Sequence, residues 1–352
     1  MCEGASGTEL DAALVAPRPA LGDAIDPIGL EPVDEVIVTT LVDNVYDALL
    51  QGDERTTRVS FGVGLAKAPQ FEGGETAVGL RAEHGFSALV TVRRDVTTTS
   101  LLFDAGLSPD AMMVNADRLG IDLLGVQGVV LSHGHFDHVG GLAGLATRCG
   151  GRSLPMVVHP MAWTRRRLAV PGADPLEMPT LSRRALEAEG FALVERRQPS
   201  LLVDDCVLIT GEVDRTTEFE RGMPAAHEAW TGSGWRHDPD VVDDQALVVH
   251  VRGRGLVVLT GCGHAGAVNI VRHAQRLTGV SAVAALIGGL HLNGPAFEPV
   301  IGPTVEALTA LAPSLVVPGH CTGWRAQHAL AAALPNAWTA GSSGSSYRVD
   351  AA

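Results

Sequence analysis

Short apolar runs that end in a glycine-containing turn with histidine recur along this chain, and they constrain its fold more than any other feature. The runs read VVLSHGH (129–135), VVLTGCGH (257–264), ALIGGLH (285–291) and LVVPGH (315–320). Each apolar part is short enough to predict a buried strand, and glycine allows the sharp turn that follows. Because α/β proteins place their binding groups at the carboxyl ends of strands, the pattern predicts several histidines at one sheet edge.

Predicted strands and helices alternate along most of the chain. Apolar segments predict strands at 35–42, 88–92, 100–104, 128–131, 156–159, 206–210, 246–251, 256–260, 283–287 and 314–317. Helical patterns occur at 111–119, 181–189, 265–277, 304–311 and 325–334. Near-continuous apolar strands are typical of sheets covered on both faces, and the RGRG turn between two of them predicts a hairpin. We therefore expect an α/β (α+β) fold with mixed sheets.

Length, charge and cysteine content exclude several classes of protein. The 352 residues suffice for one or two domains, and 46% hydrophobic with 19% charged residues indicates a globular chain. The net charge of −14 argues against nucleic acid or an anionic membrane as a partner. No apolar run approaches the roughly 18 residues of a membrane-spanning helix. The five scattered cysteines form no CxxC pair, which predicts a cytoplasmic location and no disulfide framework.

Three segments depart from the regular pattern. Residues 1–30, rich in alanine, proline, glycine and aspartate, predict a flexible N-terminal arm before a domain that spans 31–352. Insertions near 53–83 and 212–243 lack regular periodicity, and loops of such length are usually functional or disordered. The second insertion contains two tryptophans and two histidines, so we interpret it as a lid over the site that sets substrate choice.

The motif H-x-H-x-D-H at the end of the strand 128–131 carries most of the chemistry. His133 and His135 can face one point, while Asp137 and His138 can face a second point a few ångströms away. Imidazole and carboxylate ligands suit Zn, Mn or Fe, and two such ions can share a hydroxide. A histidine-rich surface turn, or buried structural histidines, is the alternative. The position after a strand and before Gly-Gly favours one or two divalent ions, with zinc as the first expectation.

These motifs resemble those of the metallo-beta-lactamase-fold hydrolases. The resemblance rests on H-x-H-x-D-H, on FDAG (103–106) and on the later strand-end histidines. EHGFSAL (83–89), DDQALVV (243–249), LTGCGHAGAVNI (259–270), IGGLHL (287–292) and PGHCTG (318–323) are similar to a subgroup of 7,8-dihydropterin-6-methyl-4-(beta-D-ribofuranosyl)-aminobenzene-5'-phosphate synthases. The resemblance covers most of the chain and implies a four-layer αββα sandwich of two mixed sheets, with the metal site at the sheet edges.

The same resemblance implies roles for individual residues. His133 and His135 match the ligands of a first metal ion, Asp137 and His138 match those of a second, and His320 matches the closing histidine. Many members of the fold have a metal-bridging aspartate where this chain has Gly261-Cys262-Gly263-His264. We expect His264 to replace that aspartate as a ligand, with a weaker second ion, and to share the catalytic role with Asp137. A Cys262 thiolate is the rival for the missing negative charge.

Further candidates lie close to these motifs as contacts of the ligands or of the substrate. Asp104 in FDAG is expected to orient a ligand histidine, with a plain strand-terminating turn as the alternative reading. Glu212 stands where the fold's third histidine is usual, and the other candidates are the strand-end residues Asp43, Asn44 and His291. The neighbouring pair Glu83-His84 has less support than the histidines.

Three functions remain open from the sequence. The first is a metal-dependent hydrolase, in which a metal-activated hydroxide attacks an ester, phosphoester or related centre of a small anionic substrate. The second is a pterin-linked synthase or transferase that acts on a phosphorylated substrate, as the subgroup implies. The third is an iron-binding redox or sensor protein, which Cys262 and Cys321 beside motif histidines keep open. The sequence carries no prediction of the oligomeric state.

Overall fold

The computed structural model describes residues 27–60 and 62–352, in which two large β-sheets face each other. The first sheet has eight strands. The strand that precedes the H-x-H-x-D-H motif runs parallel to both of its neighbours, and one of these neighbours runs parallel to the strand at the sheet edge. In spatial order these strands are β11 (Phe191–Glu195), β8 (Leu154–Val158), β7 (Gly128–Val130), β6 (Thr97–Phe103), β5 (Ser87–Arg94), β1 (Glu35–Val42), β20 (Ser346–Asp350) and β2 (Thr56–Thr57).

The second sheet has six strands and is also mixed. Its strands are, in spatial order, β12 (Ser200–Leu202), β13 (Val207–Ile209), β16 (Leu247–Val251), β17 (Gly255–Thr260), β18 (Val283–Gly289) and β19 (Val316–Gly319). The last three are parallel, whereas β16 and β17 form the antiparallel hairpin that the RGRG turn predicts. The ends of β17, β18 and β19 therefore lie at one edge, as the histidine-terminated runs require.

Helices cover the outer face of each sheet. The first sheet packs against α1 (Ala111–Leu119), α2 (Leu142–Cys149) and α3 (Arg183–Ala188), and the second against α4 (Ala267–Thr278), α5 (Glu298–Leu311) and α6 (Trp324–Ala333). Short 3₁₀ turns span Leu123–Gly125, Phe136–His138, Pro160–Trp163 and His320–Thr322. The layers are thus helix, sheet, sheet and helix, which confirms the αββα sandwich expected from the sequence.

The continuous apolar character of the strands follows from this double coverage. In β17, Val257 and Leu259 face the core between the sheets, while Leu256 and Val258 face the helices. Successive side chains of a strand point to opposite faces, so both faces must be apolar when both are buried. Apolar burial at roughly 25 cal/mol per Å² on both faces makes these strands a rigid frame for the loops at their ends.

Two smaller sheets are built from segments that the sequence left irregular. A hairpin of β3 (Leu65–Lys67) and β4 (Glu75–Ala77) lies in the 53–83 insertion. The four-stranded sheet comprises β10 (Leu176–Glu177), β9 (Arg166–Leu168), β14 (His227–Trp230) and β15 (Trp235–His237). The pairing of β9 with β14 joins the 212–243 insertion to a loop after β8, a contact between distant segments that local patterns do not predict.

Most of the predicted N-terminal arm, residues 1–26, lies outside the described residues. Residues 27–30 are packed rather than loose, because Leu30 is buried in the helix-covered core and the Ile28 N–H donates to the Leu277 carbonyl. Within residues 27–60 and 62–352, no helix combines the length and the apolar character that crossing a bilayer requires.

Candidate metal centre

The carboxyl ends of β7, β17 and β19 bring together a dense group of buried ligand-type side chains. The turn after β7 carries His133 and His135 and continues into the 3₁₀ turn Phe136–His138. The turn after β17 carries Cys262 and His264, and His320 directly follows β19. All of these side chains are buried, so their polar atoms must find partners within the site.

Three strand-end residues here hold a left-handed backbone although they are not glycine. Their φ angles are 58° at Asp104, 46° at His291 and 47° at His320. Such conformations cost on the order of 1–3 kcal/mol each and persist where surrounding contacts fix them, often at functional sites. At His320 the fixing contact is clear, because the buried Asp43 carboxylate accepts a hydrogen bond from the His320 N–H at 2.7 Å.

The first group of converging atoms consists of three ring nitrogens. His133 Nε2 lies 3.0 Å from His135 Nδ1, and His264 Nε2 lies 3.2 Å from each of them. Nitrogens bound at about 2.0–2.1 Å to one tetrahedral zinc ion are about 3.3 Å apart, so the spacing fits a shared ion. Burial lowers the pKa of all three histidines well below the usual value, and the neutral rings can therefore act as ligands.

The second group contains Asp137, His138, Cys262 and His320, whose ligand atoms lie within 4.8 Å of one another. The Cys262 sulfur is 3.3 Å from Nε2 of both His138 and His320, and Asp137 Oδ2 is 3.5 Å from His320 Nε2. Carboxylate, imidazole and thiolate together suit zinc and similar divalent ions. The donor set therefore fits a second cation.

Charges in the second group also favour a cation. Burial alone would raise the pKa of Asp137, but His138 and His320 outweigh it and lower that pKa below the usual range. Burial likewise opposes ionisation of His138, yet Asp137 and Asp104 raise its pKa to about 9. Without another cation, the His138 ring therefore keeps a proton at neutral pH, and a divalent ion would replace it.

Asp104 fixes the proton positions of one histidine in each group. Its Oδ2 accepts from the Ser132 hydroxyl at 2.6 Å and from His138 Nδ1 at 2.7 Å. Because the Ser132 proton is directed at Asp104, Ser132 Oγ accepts from His133 Nδ1 at 2.9 Å. The outward nitrogens, Nε2 of His133 and of His138, are left to face the ligand groups, which is the usual role of a residue behind a metal ligand.

His320 and His84 share one amide, that of Asn44. The Asn44 side-chain oxygen lies 3.2 Å from His320 Nδ1, and its nitrogen donates to the His320 carbonyl at 2.9 Å. The same nitrogen is 3.2 Å from His84 Nδ1. His84 Nε2 lies 3.6 Å from Asp137 Oδ2, and its side chain is 62% exposed. His84 thus lies on the solvent side of the second group without belonging to it.

The orientation of His135 depends on a residue from the 212–243 insertion. His227 Nδ1 lies 3.0 Å from the Asp238 carbonyl, which can only accept, so this nitrogen carries the proton. Burial lowers the pKa of His227, and the neutral ring accepts at Nε2 from His135 Nε2 at 3.3 Å. Nδ1 of His135 is then unprotonated where it faces His133. Two facing lone pairs at 3.0 Å repel each other unless a cation lies between them.

The insertion is anchored rather than loosely attached. Buried Arg166 in β9 forms ion pairs with Asp238 and Asp243, and Asp243 also accepts from the Gly134 N–H inside the H-x-H turn at 2.8 Å. Glu220 is buried and accepts at 2.9 Å from two N–H groups at the start of α4. Its carboxylate therefore occupies the place at that helix N-terminus where an anion would otherwise bind.

The structure gives positions for three further candidate residues, His264, Cys262 and Glu212. His264 stands with His133 and His135, whereas the Cys262 sulfur lies between the groups, within 4.8 Å of ligand atoms of both. Burial raises the pKa of the Cys262 thiol, so a thiolate there needs a neighbouring cation. Glu212 belongs to neither group of ligand atoms, because it is held by His159 at 3.2 Å and Arg197 at 2.6 Å.

Other proteins with known families or structures resemble this chain. A model of the metallo-beta-lactamase superfamily matches residues 83–276. A 7,8-dihydropterin-6-methyl-4-(beta-D-ribofuranosyl)-aminobenzene-5'-phosphate synthase of Methanocaldococcus jannaschii is 27% identical over 250 residues, which cover 70% of this chain and 83% of that protein. An uncharacterised protein of the same organism is 27% identical over 249 residues, or 70% and 86% of the two chains.

Among solved structures, this chain is similar to Tm1679, described as a metal-dependent hydrolase of the beta-lactamase superfamily. The TM-score is 0.67 with 24% sequence identity, and the match covers 90% of this chain and 99% of the other. The chain thus has the same fold as a solved structure.

Proposed function

Because this chain belongs to the metallo-beta-lactamase superfamily, we propose that it is a metal-dependent hydrolase of a small anionic substrate. One observation carries the proposal: two adjacent groups of buried ligand atoms converge at the sheet edge at distances that fit metal ions. The bonds of Asp104 and His227 add support, since they direct one ring nitrogen of His133, of His138 and of His135 toward these groups and hold a ring proton on the opposite side of each ring.

We assign the ligands from these contacts. His133, His135 and His264 would hold the first ion, and Asp137, His138 and His320 the second. Cys262 would contribute its sulfur between them, in place of the bridging aspartate common in this fold. Bound divalent ions would supply a water molecule of lowered pKa and polarise an ester or phosphoester oxygen. Zinc is the first expectation, with manganese or iron as substitutes.

The chain's own residues prepare the site for that chemistry. Asp137 stays ionised, so its Oδ2 can accept a hydrogen bond from water next to the exposed ring of His84. Burial of the ligand side chains keeps bulk solvent away from the ligand atoms, which strengthens electrostatic interactions there. Two divalent ions would outweigh the negative charges of Asp104, Asp137 and a Cys262 thiolate, so the site would attract an anion despite the acidic chain.

The test is turnover of simple reporters by protein purified without chelator. Aryl phosphodiesters, aryl phosphomonoesters, carboxylic esters and lactones are each offered with added zinc or manganese. We expect hydrolysis of at least one reporter class that chelator abolishes and metal restores, and that His135→Ala lowers at least 100-fold. The exposed histidine His328, which lies on α6, provides the matched control His328→Ala. Metal-independent turnover, or equal turnover by both variants, would contradict the proposal.

A synthase that acts on a phosphorylated, pterin-linked substrate is the second candidate. The 27% identity to the synthase from Methanocaldococcus jannaschii over 83% of its length favours it. Such a protein would bind a reduced pterin and leave the hydrolytic reporters intact, so pterin fluorescence on titration with protein separates the two candidates.

We retain the cytoplasm as the expected location, since Cys149, Cys206, Cys262 and Cys321 are free thiols in the described chain.

The iron-binding alternative rests on the sulfur atoms beside the site. Cys262, Cys321 and His291 form a third close group, in which the ligand atoms lie within 4.8 Å of one another. Iron bound there would give visible absorption in aerobically purified protein. If metal-replete protein shows no such absorption, this candidate is removed.

A further inference from the structure

His84 is a histidine at the edge of the metal centre that none of the ligand groups includes. Its side chain is 62% exposed, whereas the ligand side chains beside it are buried. Its Nε2 lies 3.6 Å from Asp137 Oδ2, which is beyond the usual range of an N–H···O hydrogen bond. Among the described residues, no group forms a hydrogen bond with this nitrogen. The ring therefore offers a polar atom to a molecule on the solvent side of the second group.

The backbone on both sides of His84 is held firmly. The Phe86 N–H donates to the Asp137 carbonyl at 3.2 Å. The Glu83 carboxylate accepts from two N–H groups of the loop after β6, at 2.8 and 2.9 Å. At Gly85 a β-carbon would lie only 2.8 Å from the Asp137 carbonyl oxygen, so a larger residue would push the segment away. The exposed ring is thus presented from a fixed position.

The Asn44 amide decides which nitrogen of His84 carries the proton. The Asn44 nitrogen donates to the His320 carbonyl at 2.9 Å, and because a carbonyl can only accept, this bond assigns the orientation of the amide. The same nitrogen lies 3.2 Å from His84 Nδ1 and has a second proton to donate. Nδ1 of His84 is therefore an acceptor, and the proton of the neutral ring is on Nε2.

Nε2 of His84 is a donor in both charge states of the ring. In the neutral ring it bears the proton that Nδ1 lacks, and in the charged ring both nitrogens bear one. A metal ligand needs a free lone pair, so this tautomer makes His84 a hydrogen-bond donor rather than a ligand. The ring also lies against the ring of His320, with centroids 5.0 Å apart, so Nε2 is held beside the second group.

From these contacts we propose that His84 binds the anionic part of the substrate, by donating a hydrogen bond from Nε2 to one of its charged oxygens. The inference rests on the proposed function, because it assigns a substrate-binding residue to the same site. A hydrogen bond to a charged oxygen is stronger than one to a neutral oxygen, so this donor favours a phosphoryl or carboxylate group over an uncharged one. The alternative, that His84 only orients Asp137, predicts a different effect on metal binding.

The first experiment determines the tautomer of His84 in protein without metal, at a pH where the ring is neutral. Ring nitrogen chemical shifts of histidine-labelled wild type are compared with those of His84→Phe, and the signals that disappear belong to His84. We expect the shift of an unprotonated nitrogen for Nδ1 and that of a protonated nitrogen for Nε2. A proton on Nδ1 with a free Nε2 would overturn the inference.

The second experiment measures anion binding by the zinc-loaded protein. Calorimetric titrations with inorganic phosphate and with acetate compare the wild type with His84→Phe, which removes the donor, and with His84→Gln, whose amide nitrogen can replace it. The control is His328→Phe, a change at an exposed histidine on α6. Loss of a hydrogen bond to a charged group should weaken anion binding about tenfold in His84→Phe, and His84→Gln should recover most of the affinity.

The two anions separate the classes of substrate. A loss for phosphate alone assigns a phosphoryl group, a loss for acetate alone assigns a carboxylate, and a loss for both supports a donor that recognises charge in either group. Unchanged affinities for both anions in His84→Phe, equal losses in His328→Phe, or a wild type that binds neither anion would overturn the inference.

A donor to the substrate and a residue that orients Asp137 differ in their effect on the metal. Zinc affinity by competition with a chromophoric chelator should be unchanged in His84→Phe, whereas loss of a partner behind a ligand typically costs about 10–100-fold. A loss of that size at the second group would overturn the inference, because His84 would then act through Asp137.

Kinetics separate this inference from the proposed function. If an anionic reporter is hydrolysed, His84→Phe should raise its KM about tenfold and change kcat less, because a donor that binds the ground state and the transition state alike acts mainly on KM. An unchanged KM would overturn the role of His84 and leave the hydrolase intact. Loss of anion binding in His84→Phe, in a protein that hydrolyses no reporter, would contradict the hydrolase and uphold the anion site.

Discussion

Replacement of His227 by leucine tests how the insertion acts on the metal centre. His227 accepts from His135 Nε2 at 3.3 Å and so leaves Nδ1 of His135 free to face the first ligand group. Without the acceptor, the His135 proton can move to Nδ1, where it blocks the ligand atom. Losing a partner behind a metal ligand typically costs about 10–100-fold in metal affinity, or about 1.4–2.7 kcal/mol. We expect a loss of zinc affinity of this size at the first ligand group only.

Two measurements check the effect. Zinc affinity is obtained by competition with a chromophoric chelator, and the tautomer of His135 is read from nitrogen chemical shifts of the labelled ring. His227→Gln offers an amide oxygen as acceptor and should restore most of the affinity. His237→Gln is the matched control, because His237 lies in the same insertion, is exposed, and contacts the Met223 carbonyl instead of a ligand.

The tautomer of the His135 ring distinguishes an effect on the position of its proton from a general loss of structure. If His227→Gln weakens zinc as much as leucine does, or if both ion equivalents weaken together, His227 does not act through the His135 proton. Wild-type affinity in His227→Leu would refute the reasoning altogether.

Three further predictions concern other parts of the centre. Asp104→Asn should weaken both ion equivalents about 10–100-fold in the same competition assay, since Asp104 contacts a histidine of each group directly or through a hydroxyl. Cys262→Ser should remove the thiolate absorption of the cobalt-substituted protein while Cys321→Ser keeps it; a Cys262→Ser spectrum equal to that of the wild type would exclude the Cys262 sulfur as a ligand. Burial lowers the pKa of His273 to about 4 from 6.5, so this residue stabilises the fold above pH 6.5 and loses about 3 kcal/mol as the pH falls to 4. Chemical denaturation of His273→Gln should show a shallower loss of stability in that pH window, and an unchanged slope would contradict the assignment.

The sequence predicts the frame of this fold well because most strands are buried on both faces. The first strand, 35–42, coincides with β1, and the hairpin and the helix 111–119 also match. The C-terminal strand β20 escaped prediction, since SYRVD alternates polar and apolar residues and pairs only through contacts more than 250 residues distant. The helix α5 begins six residues before the predicted start, because its two prolines near the N-terminus hid its helical character.

The sequence indicates which side chains come together at the sheet edge, but not how they are grouped there. The strand-end pattern points to His133, His135, His264 and His320, because each lies in the glycine-containing turn after an apolar run. The pattern does not show that Cys262 lies between the groups, since adjacent turn residues point in directions that only the fold fixes. His227 was noted only as part of the lid segment, because its contact with His135 depends on the pairing of β9 with β14.

The metal content of the protein tests the central claim most directly. Wild-type protein and His135→Ala are purified in parallel without chelator, and bound zinc, manganese and iron are quantified by mass spectrometry after desalting. The account predicts one to two divalent ions per chain in the wild type and most of that metal lost in the variant, with both proteins folded by circular dichroism. A wild type without bound metal after incubation with zinc, or a variant with undiminished metal, would contradict it.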